Sequence, residues 1–142
     1  MKTNPYLSFN GNCAEAFRFY EKVLGGKISA LMTWADTPMA KEVPAETRSQ
    51  IVHARMQVDD TVLMGGDAPP GRYEAPKGIT VTITVEQPAE ADRIFAALSE
   101  GGTVTMPIQE TFWAQRFAMF TDRYGTPWMI NCEKPMGAQA AA

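Results

Sequence analysis

The sequence has one histidine, His53, and two cysteines, Cys13 and Cys132. A single imidazole excludes every multi-histidine metal centre. The two cysteines have no C-x-x-C spacing and cannot form a disulfide framework, so they read as free thiols. No apolar run approaches the roughly 18 residues of a membrane span, so no membrane role is expected. Basic residues are not in surplus either. Thirteen Lys and Arg stand against sixteen Asp and Glu, a formal net charge of -3. That balance argues against a nucleic-acid partner, which calls for a basic surplus. No signal-type apolar stretch follows Met1–Pro5, and a cytoplasmic protein is expected. There is no phosphate-cradling glycine loop and no arguable Ser-His-Asp order.

What is present is core material. The chain has 142 residues, 45% of them apolar and 20% charged. That is enough to bury a real core, as one compact domain or two small fused halves.

The most informative feature is an internal echo. Residues 5–28 and 80–104 each run through a short strand pattern, a polar turn, the tripeptide Ala-Glu-Ala, a helix and a Gly-Gly stop. The tripeptides start at Ala14 and Ala89, 75 residues apart, and the pairs Gly25-Gly26 and Gly101-Gly102 are 76 apart. In-phase repetition of several signals marks a duplicated unit. Ala14, Phe17, Tyr20 or Glu21, and Leu24 fall at helical spacing, as do Ala91, Ile94, Phe95 and Leu98. Asn12 and Gln87 precede the two helices, and Asn12 suits an N-cap.

The rest of each half reads as strands. Lys27–Trp34 leads into a Pro-containing segment, Ala35–Ser49, the best candidate for a mobile loop. Ile51–Val58 and Thr61–Gly65 form a hairpin about Asp59-Asp60, and Asp67 reads as a turn residue. In the second half, strands are expected at Thr103–Pro107, Ala114–Thr121 and Trp128–Asn131, with Gln109–Trp113 as a connection. The order is βαβββ twice. The modules span residues 4–68 and 79–134 of a single domain, with a linker at 69–78 and a frayed tail at 135–142. The last strands align Leu63-Met64 with Trp128-Met129 at an offset of 65, and His53 then matches Arg116 at an offset of 63.

Two tandem βαβββ modules resemble the vicinal oxygen chelate superfamily, the group of glyoxalases, bleomycin-resistance proteins and dioxygenases. The segments NPYLSFNGNCAEAFRFYEKVLGG, IVHARMQV, QETFWAQRF and TDRYGTPWMINCEK are similar to its PhnB-like branch, also labelled a 3-demethylubiquinone-9 3-methyltransferase-like domain. The resemblance implies an α+β fold. Each module would curl a mixed sheet into a cup with a helix on its outer face, and the chain would form a homodimer. It supplies no reaction. A methyltransferase would need a glycine-rich loop for S-adenosylmethionine, and none is present.

The resemblance also implies where a divalent metal would sit, at symmetric positions on the first and last strand of each module. Pro5, Thr80, Met64 and Met129 occupy those positions here. None is a His, Asp or Glu, so no metal and no cofactor is expected. Glu133 is expected at the sheet edge, outside the cup.

Period-two alternation then places Leu7, Phe9, Val62, Met64, Thr80, Thr82, Thr84, Met129 and Asn131 in the cup. Trp128 and Ile130 pack under the helix. His53, Arg55 and Gln57 face the cup if Val52, Ala54, Met56 and Val58 face the helix. The expected small-molecule site comprises His53, Arg55, Met64, Thr80, Glu110, Trp113, Arg116, Met129 and Asn131. His53 is the candidate catalytic group, an acid or base by residue type. Arg116 suits a carboxylate or phosphate. Each has a bland alternative. A lone strand histidine also serves as a structural hydrogen-bonded residue, Trp113 as core, and the arginines as partners of Glu110 or Asp122. The expected function is metal-independent small-molecule binding. The alternatives are a metal-dependent lyase, isomerase or dioxygenase, and the labelled methyltransferase.

Overall fold

The computed structural model describes residues 1–135. Residues 136–142, most of the expected frayed tail, lie outside the described residues. The chain divides into two units, with the boundary between Ala75 and Pro76.

The first unit contains β1 (Tyr6–Phe9), α1 (Cys13–Leu24), β2 (Lys27–Thr33), β3 (Ile51–Val58) and β4 (Thr61–Asp67). The second contains β5 (Val81–Thr84), α2 (Pro88–Leu98), β6 (Thr103–Gln109), β7 (Ala114–Thr121) and β8 (Pro127–Glu133). Each unit is one four-stranded mixed sheet with one helix: the orders are β1-β4-β3-β2 and β5-β8-β7-β6. The first strand pairs parallel to the last, and the other pairs are antiparallel. This is the expected α+β architecture of βαβββ twice. Irregular register in β2 and β6 bends those edge strands and curls each sheet.

The first core forms where α1 lies on its sheet. Cys13, Ala16, Phe17, Tyr20 and Val23 are the buried stripe of the helix. Phe17 meets Phe9 edge-on at 6.0 Å and Tyr20 at a tilt, also at 6.0 Å. Ala54, Met56 and Leu63 are buried with them. Leu7 and Phe9 therefore belong to the helix side, not to the cup. The parallel register sets this: Leu7 stands opposite Gly65, against whose α-carbon the Phe17 ring packs.

Asn12 is not the working cap of α1. Its side chain makes no capping bond, and its buried Oδ1 has no partner among the described residues. Asp67 does that work from the end of β4. Its Oδ1 accepts the Cys13 N–H at 3.0 Å and its Oδ2 accepts the Ile51 N–H at 2.8 Å. A residue expected in a turn is thus the tie between helix, third strand and last strand.

Residues 34–50 carry local order. Short 3-10 turns form at Trp34–Asp36 and Ala45–Thr47. Trp34 N–H donates to the Gln50 carbonyl and Ala35 N–H to that of Arg48, which closes the neck of the loop. Asp36 Oδ2 accepts from the Thr33 N–H and hydroxyl, both at 2.9 Å, and these bonds hold its carboxyl below the usual carboxylate range.

In the second unit Ala91, Ile94 and Leu98 of α2 are buried, and Phe95 meets Phe120 edge-on at 5.5 Å. Trp128 and Ile130 pack there as expected. Buried Asp122 organises the β7–β8 turn. Its Oδ2 accepts the Trp128 indole N–H at 2.8 Å, and its Oδ1 accepts the N–H groups of Tyr124 and Thr126.

Candidate functional site

In the first unit the face turned away from α1 gathers the polar and titratable candidates. Arg55 pairs with Met64, and Met64 with Tyr6, so these three side chains form one row across β3, β4 and β1. His53 pairs with Met32 on the other side. The Tyr6 ring reaches over β4 and lies near-parallel to the His53 ring, with centroids 6.2 Å apart and 22° between planes. Tyr6 Oη donates to the Val52 carbonyl at 3.1 Å, which fixes the ring. Gly66 makes this possible, because a β-carbon there would stand 2.7 Å from Tyr6 Oη. Partial burial raises the Tyr6 hydroxyl pKa above its ordinary value, and the nearby Cys13 thiol adds to the shift. Arg55 is exposed and has no ion-pair partner among the described residues.

His53, Arg55, Gln57, Val62 and Met64 share this face, as period two requires. Tyr6 was missed. Counting the first strand from Pro5 put Leu7 and Phe9 where Tyr6 and Ser8 stand. The register of β1 on β4 decides this, and one residue of slip reverses every side chain.

The same slip explains Arg116. In the second unit Met119 pairs with Met129, as Arg55 pairs with Met64 in the first. The offset is 119 − 55 = 64, not 63, so the counterpart of His53 is Phe117 and not Arg116. Arg116 pairs with Cys132 on the helix side, and its Nε lies 3.1 Å from Asp92 Oδ1 of α2. That Nε–H makes no aligned hydrogen bond, so the contact is one of charge. Arg116 therefore does not join His53 as a cup residue. Neither Glu110 nor Asp122 is its partner: Glu110 meets Lys134 at 3.6 Å. Beside Arg116, burial raises the Cys132 thiol pKa, Arg116 opposes the shift and Asp92 reinforces it.

On the far face of the second sheet stand Thr82, Phe117, Met119, Met129 and Asn131. The Thr82 hydroxyl donates to Met129 Sδ at 3.8 Å. Thr80 lies one residue before β5. Trp113 meets Phe117 edge-on at 5.2 Å and Phe112 at 4.8 Å. Asn131 Nδ2 donates to Glu133 Oε1 at 3.3 Å, and its buried Oδ1 has no partner among the described residues. β8 runs on to Glu133, so this carboxylate shares a face with Asn131 and is not merely an edge residue.

The register also corrects the positions at which a metal would be held. Tyr6 pairs with Met64 and Thr82 with Met129. A phenol, a hydroxyl and two thioethers do not fit a hard or borderline divalent ion. Among the described residues no three His, Cys, Asp or Glu side chains converge.

A profile of the Glyoxalase/Bleomycin resistance protein/Dioxygenase superfamily matches residues 2–130. The chain belongs to this superfamily. Among curated proteins this superfamily member is 33% identical to Protein YjdN of Escherichia coli strain K12, over 98% of this chain and 100% of that one. Among solved structures it resembles protein PA1353 of Pseudomonas aeruginosa, with a TM-score of 0.87 and 46% identity over 95% of this chain and 99% of that one. The PhnB protein of Bacillus cereus shares the fold, with a TM-score of 0.77 and 21% identity over 93% of this chain and 99% of that one. No described helix is long and apolar enough to cross a membrane.

Proposed function

We propose that this superfamily member is a small-molecule-binding protein that works without a resident metal. The observation that carries the reading is the convergence of Tyr6, His53, Arg55 and Met64 on one face of the first sheet. A half-apolar surface with a few convergent polar groups is the character of a small-molecule site. His53 is the group suited to proton transfer by residue type. Thr80, Glu110, Trp113, Met129 and Asn131 offer ligand contacts on the second module. The protein acts as a homodimer, the commonest closed assembly. Two free, buried cysteines suit a reducing compartment such as the cytoplasm.

Two measurements test this. The purified protein is incubated with Ni, Zn, Mn and Fe, desalted and analysed by inductively coupled plasma mass spectrometry. Near-stoichiometric metal would overturn the metal-free reading and favour a lyase, isomerase or dioxygenase. A metabolite library is then screened by thermal shift. If no compound raises the melting temperature, the binding reading falls.

A further inference from the structure

The two modules share a framework but not a surface. Their registers make Tyr6 the equivalent of Thr82, His53 of Phe117, Arg55 of Met119, and Met64 of Met129. Every titratable or charged member of these four pairs lies in the first module.

We propose that this face of the first module recognises a planar aromatic monocarboxylate, with the ring against Tyr6, His53 and Met64 and the carboxylate on Arg55. The inference rests on the small-molecule reading above and narrows it to one ligand class.

Charge comes first. Arg55 is an exposed guanidinium with no ion-pair partner among the described residues. Its planar fork takes a carboxylate through two parallel hydrogen bonds. The next cation on this face is Lys27, opposite Gln57, which is two residues further along β3. One guanidinium, not a cluster, matches a monoanion better than a doubly charged phosphoryl group.

Shape comes second. Tyr6 and His53 present near-parallel rings, and the bond from Tyr6 Oη to the Val52 carbonyl holds the phenol in place before any ligand arrives. Met64 lies between Tyr6 and Arg55 in the same row, and Met32 stands beside His53. Thioethers and aromatic faces both favour a flat, polarisable group over a saturated one. Tyr6 and Arg55 are separated by two strand spacings, about 10 Å of backbone. The Tyr6 ring itself crosses β4 toward His53, so a ligand ring over Met64 would meet the phenol and imidazole along the strand direction and Arg55 beside it in the same row.

The test uses the full chain and four probes: benzoate, cyclohexanecarboxylate, benzyl alcohol and methylphosphonate, titrated by isothermal calorimetry. Benzoate is expected to bind about tenfold or more tighter than the other three, in line with a charge-assisted bidentate contact plus ring packing. Arg55→Gln should erase the preference for benzoate over benzyl alcohol. Tyr6→Leu should erase the preference for benzoate over cyclohexanecarboxylate, whereas Tyr6→Phe should keep it. Far-ultraviolet circular dichroism confirms that each variant folds. Equal binding of benzoate and cyclohexanecarboxylate by the native protein would overturn the proposal, as would a preference for methylphosphonate. If the probes fail while an unrelated metabolite raises the melting temperature, the aromatic proposal falls and the broader binding reading stands. If nothing binds, both fall.

Discussion

Asp67 at the end of β4 accepts the first backbone N–H of α1, that of Cys13, at 3.0 Å. Its other oxygen holds Ile51 at the start of β3 at 2.8 Å. One carboxylate thus fixes three elements at a helix N-terminus, where negative charge is favoured. Asp67→Ala removes a charged acceptor from two N–H donors. The expected loss is about 2–4 kcal/mol of unfolding free energy, read from urea melts. An unchanged midpoint would show that water replaces the carboxylate without cost.

Cys13 gives a pH prediction. Burial pushes its thiol up to about 12 from an ordinary 9.0, with Asp67 adding to the shift. The folded state therefore holds this proton more tightly than the unfolded chain does. The stabilisation is full below pH 9 and is lost as pH rises from about 9 towards 12. The melting temperature should fall through that window, and less steeply in Cys13→Ala. In the native protein at pH 8 a thiol reagent should leave Cys13 unlabelled until the chain is unfolded. Rapid labelling would contradict this burial.

Asp122 is the matching tie in the second module. It holds the Trp128 indole and two backbone N–H groups. Asp122→Ala leaves these donors to find other partners, at an expected cost of about 3 kcal/mol or more. Trp128 fluorescence should shift to the red as its surroundings loosen. An unshifted spectrum with native stability would refute this role.

Arg55 and Arg116 make a paired prediction. Arg116 faces α2 through a half-exposed ion pair with Asp92, worth about 1 kcal/mol or less. Arg116→Ala should leave ligand affinity within about twofold, whereas Arg55→Ala should weaken it about tenfold or more, the scale of a charge-assisted contact. The reverse order would return Arg116 to the binding face.

The repeat, the βαβββ order and both helices were legible because Ala-Glu-Ala and Gly-Gly recur in phase with periodic apolar residues. The face of β3 was legible too, since His53, Arg55 and Gln57 alternate cleanly with apolar residues. The faces of β1 and β7 were not. Strand alternation gives two opposite faces but not which one meets the helix, and that is set by pairing with a neighbour. The 76-residue spacing of the Gly-Gly pairs does align Tyr6 with Thr82, as the parallel registers do, but it does not say which face the two occupy. The capping role of Asp67 had no local signal, because it acts across 54 residues on Cys13.

Gly65 and Gly66 sit next to each other on opposite faces of β4, one beneath Phe17 and the other beneath Tyr6. A methyl group at either would collide with a ring and with the backbone of a neighbouring strand. At Gly65 it would stand 2.7 Å from the Leu7 carbonyl of β1 and 2.9 Å from the Phe17 ring of α1. At Gly66 it would displace the phenol from His53 and also stand 2.8 Å from the Val52 carbonyl, forcing β3 and β4 apart. Both positions therefore set the spacing of β4 from its neighbours, Gly65 from β1 and Gly66 from β3, so the seat of the exposed phenol is built into the sheet itself.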